Sequence, residues 1–504
     1  QTGWNYYYQA DPHISTSTEL SLVSSSGSVT QTSDTDFNEG SFATTTVSGS
    51  GNDASVILDF SQYKRPITIS NSTASDLTDY QILVTLDTQS LISAGKMRSD
   101  CGDIRFKDSN NQNLSYWIES GCNTTSTTVW VKVSSIPGNL TTTIYMYYGN
   151  PDASSESDAS STFIRVIDGA QPVKGSWHFD EGSGTTASDD SGNGNDGTLT
   201  NGPTWVDGKF GKALSFDGND DYVNVPDSTS LDITNAITIE AWVKTNQQGV
   251  YKKIATKGNA GDSVFWLSQG PSDYPTYFGV RNSNNTVKVA IYDQYLPIGE
   301  WVHLAGTYNG SNVKLYWNGV LVATEPHSGS IYTNNQPVRI SGCSDGKEIF
   351  NGTIDEVRIY NRALIAEEIS DLYNNYGYTT TNYPGRVLVR KYADPEPSVT
   401  IGNETTLSIS NGTFTSSVID ASKRVGWETI TWNATTSPST SVEVKVRTDS
   451  SSTMANAPDW SLCDSVSNGE DISNNNCVND GDRYIQYQVT LSTTDTSQTP
   501  YFND

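Results

Sequence analysis

Ile237-Thr238-Ile239-Glu240-Ala241-Trp242-Val243-Lys244 alternates with a period of two, so Ile237, Ile239, Ala241 and Val243 share one face of an extended strand. A second stretch, Val313-Lys314-Leu315-Tyr316-Trp317-Asn318-Gly319-Val320-Leu321-Val322, sets Asn-Gly between two strand-forming runs. Asn and Gly both tolerate the positive φ angles of a type I′ turn, so this stretch predicts a tight antiparallel hairpin. A sheet with one apolar face must bury it, which predicts a sandwich. Behind it, Leu364, Ile365, Ile369 and Leu372 repeat at helical spacing after Asn361. They predict one short helix over 361–375 with Asn361 as its N-cap.

The same grammar of short alternating runs bounded by Gly, Asn, Asp, Ser and Thr extends along the whole chain. The expected fold class is all-β: several β-sandwich or jelly-roll domains in tandem. A unit of about 170–378 surrounds the deciding stretches. Before it, 63–165 carries strand runs such as Tyr80-Gln81-Ile82-Leu83-Val84 and Thr143-Ile144-Tyr145-Met146-Tyr147-Tyr148. After it, 395–504 carries Val442-Glu443-Val444-Lys445-Val446 and Tyr484-Ile485-Gln486-Tyr487-Gln488-Val489. Residues 1–62 open on Trp4-Asn5-Tyr6-Tyr7-Tyr8 and continue Ser/Thr-rich, too polar to fold well alone. They are read as a β arm or partial domain.

A length of 504 residues exceeds one core, and 52 aromatic side chains (12 Trp, 27 Tyr, 13 Phe) suffice for several. Lys plus Arg number 30 against 57 Asp plus Glu, a net charge of −27. That balance repels nucleic acid and anionic membrane surfaces and leaves carboxylates free for divalent cations. No run of 18 apolar residues is present, so no membrane span is expected. Of five cysteines, Cys101 with Cys122 and Cys463 with Cys477 read as local disulfides, implying an oxidising compartment, and Cys343 is left over as a buried thiol. A first residue of Gln rather than Met fits a secreted chain whose signal peptide was removed.

Trp177-His178-Phe179-Asp180-Glu181-Gly182, Asp190-Ser191-Gly192-Asn193-Gly194-Asn195-Asp196-Gly197, Ala213-Leu214-Ser215-Phe216-Asp217-Gly218, Trp301-Val302-His303-Leu304-Ala305 and Ile354-Asp355-Glu356-Val357-Arg358-Ile359-Tyr360 follow one another in order. With the 237–244 strand, they make the 170–378 unit closely resemble the laminin-G-like, concanavalin A-type sandwich of secreted proteins. Residues 63–165, through Ile144-Tyr145-Met146-Tyr147-Tyr148-Gly149-Asn150-Pro151, resemble an uncharacterised β-domain that often precedes such sandwiches in archaeal and bacterial surface proteins. The 395–504 unit is similar to β-modules of the same kind of protein. In those modules a strand follows the Thr499-Pro500 signal, so this unit is expected to lack one strand.

The laminin-G-like resemblance implies a structural calcium where an early Gly-rich loop meets a late Asp, which maps onto Asp180, Asp190, Asn193 and Asp355. Hard cations want converging oxygens, and such loops can supply them. The competing reading is that Asp, Asn and Gly merely make turns. Asp217-Gly218-Asn219-Asp220-Asp221 begins like an EF-hand but lacks the required Gly and Glu at the sixth and twelfth positions. Concanavalin-type glucanases alternate acids along one strand, whereas the 237–244 strand holds the single Glu240, so no enzyme activity is expected. A lectin needs accessible aromatics, and Trp205, Trp266, Trp301, Trp317, Tyr274 and Tyr277 are the candidates.

Ten N-x-Ser/Thr sequons occur, at Asn71, Asn113, Asn123, Asn139, Asn284, Asn309, Asn351, Asn403, Asn411 and Asn433, as candidate glycosylation sites. An aromatic arm at one end and a sandwich short of a strand at the other suggest β-augmentation between chains. Repeated head to tail, this would build a filament by self-association. The functional expectation is therefore an extracellular structural or adhesive surface protein, a filament subunit with a lectin-like domain. The alternative is a non-polymeric carbohydrate-binding protein with a glycan ligand.

Overall fold

The computed structural model describes residues 61–504 apart from 152, 169–171, 408–410, 495–499 and 504, and before residue 61 the backbone of five strands. The aromatic run Trp4–Tyr8 lies outside the described residues. Every named sheet pairing is antiparallel, and helices are few and short.

The deciding strand, Ile237–Thr245, sits in an eight-stranded sheet between Asn351–Tyr360 and Val302–Tyr308. Ile237, Ile239, Ala241 and Val243 are all fully buried in one core, as their shared face requires. The core closes against a second eight-stranded sheet, where Ile254, Phe265, Leu267, Phe278 and Val280 supply the opposing layer. Asn318 and Gly319 both have positive φ (48° and 79°), and Trp317 pairs Val320 across the two-residue turn. The predicted hairpin is present.

The sandwich differs from a simple half-buried sheet in one respect. Glu240 and Trp242, on the other face of the deciding strand, are buried as well. The helix Ala366–Asn374 and the strands Tyr376–Tyr378 and Val387–Arg390 lie over that face, with Tyr316, Tyr360, Ile369 and Leu372 in a second apolar layer. The helix starts later than predicted. Glu368 accepts a hydrogen bond from the Ile365 N–H at 3.0 Å, so the helix begins after Ile365. Asn361 instead donates its N–H to the Pro172 carbonyl, and Leu364 donates to the Thr238 hydroxyl. Asn361 is therefore not the N-cap.

The sheets do not respect sequence order at their edges. Tyr63–Ser70 pairs Thr141–Tyr148 on one side and Ser398–Ile401 on the other, so a strand from beyond residue 395 completes the 63–165 sandwich. The five N-terminal strands in turn enter the C-terminal unit. Leu20–Ser24 pairs Trp427–Thr431, Ser41–Ala43 pairs Asn411–Thr415, and Ser55–Leu58 pairs Tyr501–Asn503. The strand expected to be missing after Pro500 is present as Tyr501–Asn503, paired on both sides within the same chain. Both predicted disulfides are formed, and Cys343 is free and buried.

The 63–165 and laminin-G-like units share an interface built on Glu119. Its carboxylate accepts from Tyr378 Oη at 2.9 Å, Thr380 Oγ1 at 2.6 Å and Trp130 Nε1 at 2.8 Å. Trp117, Trp130, Phe163 and Leu388 form the apolar cluster beside it. These bonds saturate the half-buried acid and tie the two units together.

Candidate functional site

Glu240 is not solitary. His303 Nε2 lies 3.1 Å from its Oε2, while Arg358 Nη1 at 3.1 Å and Tyr360 Oη at 2.5 Å reach its Oε1. Arg358 also binds Glu356 and the Gly377 carbonyl, and Glu356 Oε1 meets His178 Nδ1 at 2.8 Å. His178 Nε2 is 2.7 Å from Thr379 Oγ1. These groups form one continuous polar chain between the sheet and its covering layer.

Burial alone pushes the Glu240 carboxyl upward. The His303 hydrogen bond, the Arg358 charge and the Tyr360 hydroxyl reverse this and hold it below the usual range. The second acid that the strand lacks is thus supplied by Glu356 on the neighbouring strand. Both carboxylates are 1% exposed and joined by Arg358, an arrangement unlike the open pair that flanks a glycosidic bond in a glycosidase. The chain of charges links the sheet to the layer over it.

Two of the four predicted calcium ligands meet at the turn 208–212. Asp355 Oδ2 accepts the N–H groups of Lys209 (2.7 Å) and Phe210 (3.1 Å), and Asp180 Oδ1 accepts that of Lys212 (2.7 Å). Asp355 is 0% exposed, and its Oδ1 has no hydrogen-bond partner. Burial, then repulsion from Glu356 and Asp180, pushes its carboxyl well above the usual range. Burial also raises Asp190, with Glu181, Asp189 and Glu356 adding repulsion and His178 opposing it. A cation between Asp180 and Asp355 would relieve their mutual repulsion, and carboxylate oxygens suit a hard divalent ion; Asp190 is not brought to this turn.

Asn193 uses its amide on the Val173 carbonyl at 3.1 Å and Ser191 Oγ at 2.9 Å. The residue that organises the Gly-rich loop is Asp189, which sequence reading passed over. It accepts from the Ser176, Ser191 and Asn195 N–H groups and from the Ser191 hydroxyl. Among the described residues, the acids whose oxygens all lie within 4.8 Å of one another are Asp217, Asp220 and Asp221. Asp217 accepts from the Asn219 N–H at 2.8 Å, the bond of an Asx turn, so turn formation accounts for its place.

The aromatic candidates divide sharply. Trp266 and Tyr277 are buried, Trp205, Trp301, Trp317 and Tyr274 half-buried. Trp317 packs edge-on against Tyr292, and Trp205 donates its indole N–H to the Gly184 carbonyl. Tyr251, absent from the sequence candidates, is the accessible member of this region.

The sequons divide too. Asn113, Asn123, Asn139, Asn284, Asn309, Asn403 and Asn411 are exposed, and Asn351 and Asn433 half-buried. Asn71 must be struck from the candidates. It is 2% exposed, and its amide donates to the carbonyls of Ser75, Ile136 and Pro137.

Against known proteins, residues 217–370 match the family described as the concanavalin A-like lectin/glucanases superfamily. The chain carries a concanavalin A-like domain. Residues 100–190 match a domain of unknown function, DUF2341, which precedes it. Over 177 residues, 31% of this chain, it is 30% identical to mouse (Mus musculus) pappalysin-1. It is 25% identical over 212 residues, 37% of this chain, to adhesion G-protein coupled receptor V1 of Danio rerio. Human usherin is 28% identical over 146 residues, 28% of this chain. The matches span 11%, 3% and 3% of those relatives' lengths. Among solved structures, the chain is 27% identical to domain 4 of the extracellular GH43 arabinanase AbnA of Geobacillus stearothermophilus in complex with arabinotriose. The likeness covers 40% of this chain and 98% of that one, with a TM-score of 0.35. The botulinum neurotoxin type G receptor-binding domain is 17% identical, covering 40% and 51%, with a TM-score of 0.32.

Proposed function

We propose that this is a secreted, extracellular protein that recognises carbohydrate through its concanavalin A-like domain and does not cleave it. The observation that carries the reading is the burial of Glu240 and Glu356 around Arg358, inside a fold shared by lectins and glucanases. A glucanase needs two accessible carboxylates about 5–10 Å apart with substrate between them, and here an arginine occupies that place. Two disulfides and a relative named as an adhesion receptor support the extracellular setting. A glycan array probed with the full chain tests the reading: binding to at least one glycan is expected, and silence across the array overturns it.

Calcium is proposed as a structural ion beside the 208–212 turn, where Asp180 and Asp355 meet. Chelator is expected to lower the melting temperature of the wild type and to leave that of Asp355→Ala unmoved. An unmoved wild type would remove the ion from the account. The exposed sequons are the proposed glycan acceptors.

A second reading follows from the N-terminal strands. They complete the C-terminal sheets across more than 350 residues of sequence, and the same pairing made between chains would generate a filament.

A further inference from the structure

Tyr251, Tyr274 and Tyr277 stand together outside the core, on strands and loops of the second sheet. Their ring centroids lie 6.3 Å (Tyr251–Tyr274), 5.5 Å (Tyr274–Tyr277) and 6.5 Å (Tyr251–Tyr277) apart. Tyr251 is 44% exposed, Tyr274 half-buried and Tyr277 4% exposed, so the group steps from solvent into the fold. At its inner end Lys253 Nζ is 3.3 Å from Tyr277 Oη and 3.2 Å from Glu348 Oε2. The same ammonium sits 5.2 Å from the centroids of both Tyr277 and Trp266. Trp266 lies across Gly279, where a side chain would collide with the indole, and so forms the floor beside Lys253.

Tyrosine rings stepping from solvent down to the Lys253–Glu348 ion pair offer apolar faces beside hydrogen-bonding groups, the combination that a sugar ring matches. We propose that this tyrosine step is the carbohydrate subsite of the domain, an inference that rests on the carbohydrate reading above. A sugar ring offers an apolar C–H face for stacking on Tyr251 and Tyr274, and hydroxyls for the paired Lys253–Glu348 and the tyrosine hydroxyls. The charges of Lys253 and Glu348 cancel, and the chain carries −27 overall, so the ligand class is a neutral glycan rather than a uronate or sulfated one.

Affinity electrophoresis of the full chain tests this, in gels containing soluble β-glucan, xylan, arabinan, galactomannan or starch, with pectate and alginate as anionic probes. Wild type is expected to be retarded by at least one neutral polysaccharide. The Tyr251→Ala/Tyr274→Ala double variant should lose at least ten-fold in affinity, Tyr251→Phe should keep most of it, and Tyr332→Ala, an exposed tyrosine outside the group, should be unchanged. Melting temperatures establish that each variant is folded. Wild-type retardation that survives the folded double variant overturns the tyrosine step while leaving the carbohydrate reading in place. Retardation by pectate or alginate alone overturns the neutral class, and no retardation by any polysaccharide overturns both.

Discussion

Glu240 shows how one residue changes meaning between sequence and structure. Along its strand it is a lone acid; in space it meets His303 and Arg358, which lie 63 and 118 residues away. Such long-range partners leave no local signal, whereas the alternation placing Ile239 and Ala241 in the core is legible directly. Removing one member of a buried charged group strands the others, so Glu240→Gln should destabilise the domain by about 3 kcal/mol or more. The folded carboxyl is held below its ordinary value near 4.5, so its contribution is present above that pH and is lost as pH falls through the depressed value. Denaturant titrations of wild type and Glu240→Gln should therefore differ most near neutrality and converge in acid. A gap that stays constant with pH would contradict this assignment. Asp355 was legible only as a candidate, because its unpartnered oxygen and the turn that caps it are properties of the fold.

At the scale of elements, turn chemistry was the surest guide. Asn318-Gly319 adopts the two positive φ angles that its composition predicts. Gly319→Ala should therefore cost about 1–2 kcal/mol, because a Cβ disfavours the left-handed region, and thermal melts would read this loss. No loss would mean that the hairpin turns another way. Helical spacing located Ala366–Asn374, but the start was misplaced because Arg362 to Leu364 dock on Thr238 before the helix begins. The covering of the Glu240 face was not legible at all. A strictly alternating strand predicts one buried face, and the second burial comes from a segment more than 120 residues later.

For the whole molecule, sheet composition defies chain order. Reading runs in sequence identifies the strand near 63 but neither Ser398–Ile401 nor Tyr501–Asn503, and pairing across such distances depends on which edges remain open after the local sheets form. Ser55 pairs Asn503 in register, so Ser55→Cys with Asn503→Cys should oxidise within one chain in dilute solution and run as a monomer on a non-reducing gel. A ladder of cross-linked oligomers under those conditions would show the pairing to be made between chains, as the filament reading requires. The central claim, recognition of carbohydrate without cleavage, is tested most directly by co-sedimentation with insoluble neutral polysaccharides, combined with a reducing-end assay of the supernatant. The account predicts protein in the pellet with at least one polysaccharide and no new reducing ends after prolonged incubation. Protein that stays in the supernatant with every polysaccharide, or reducing ends that accumulate with time, would contradict it.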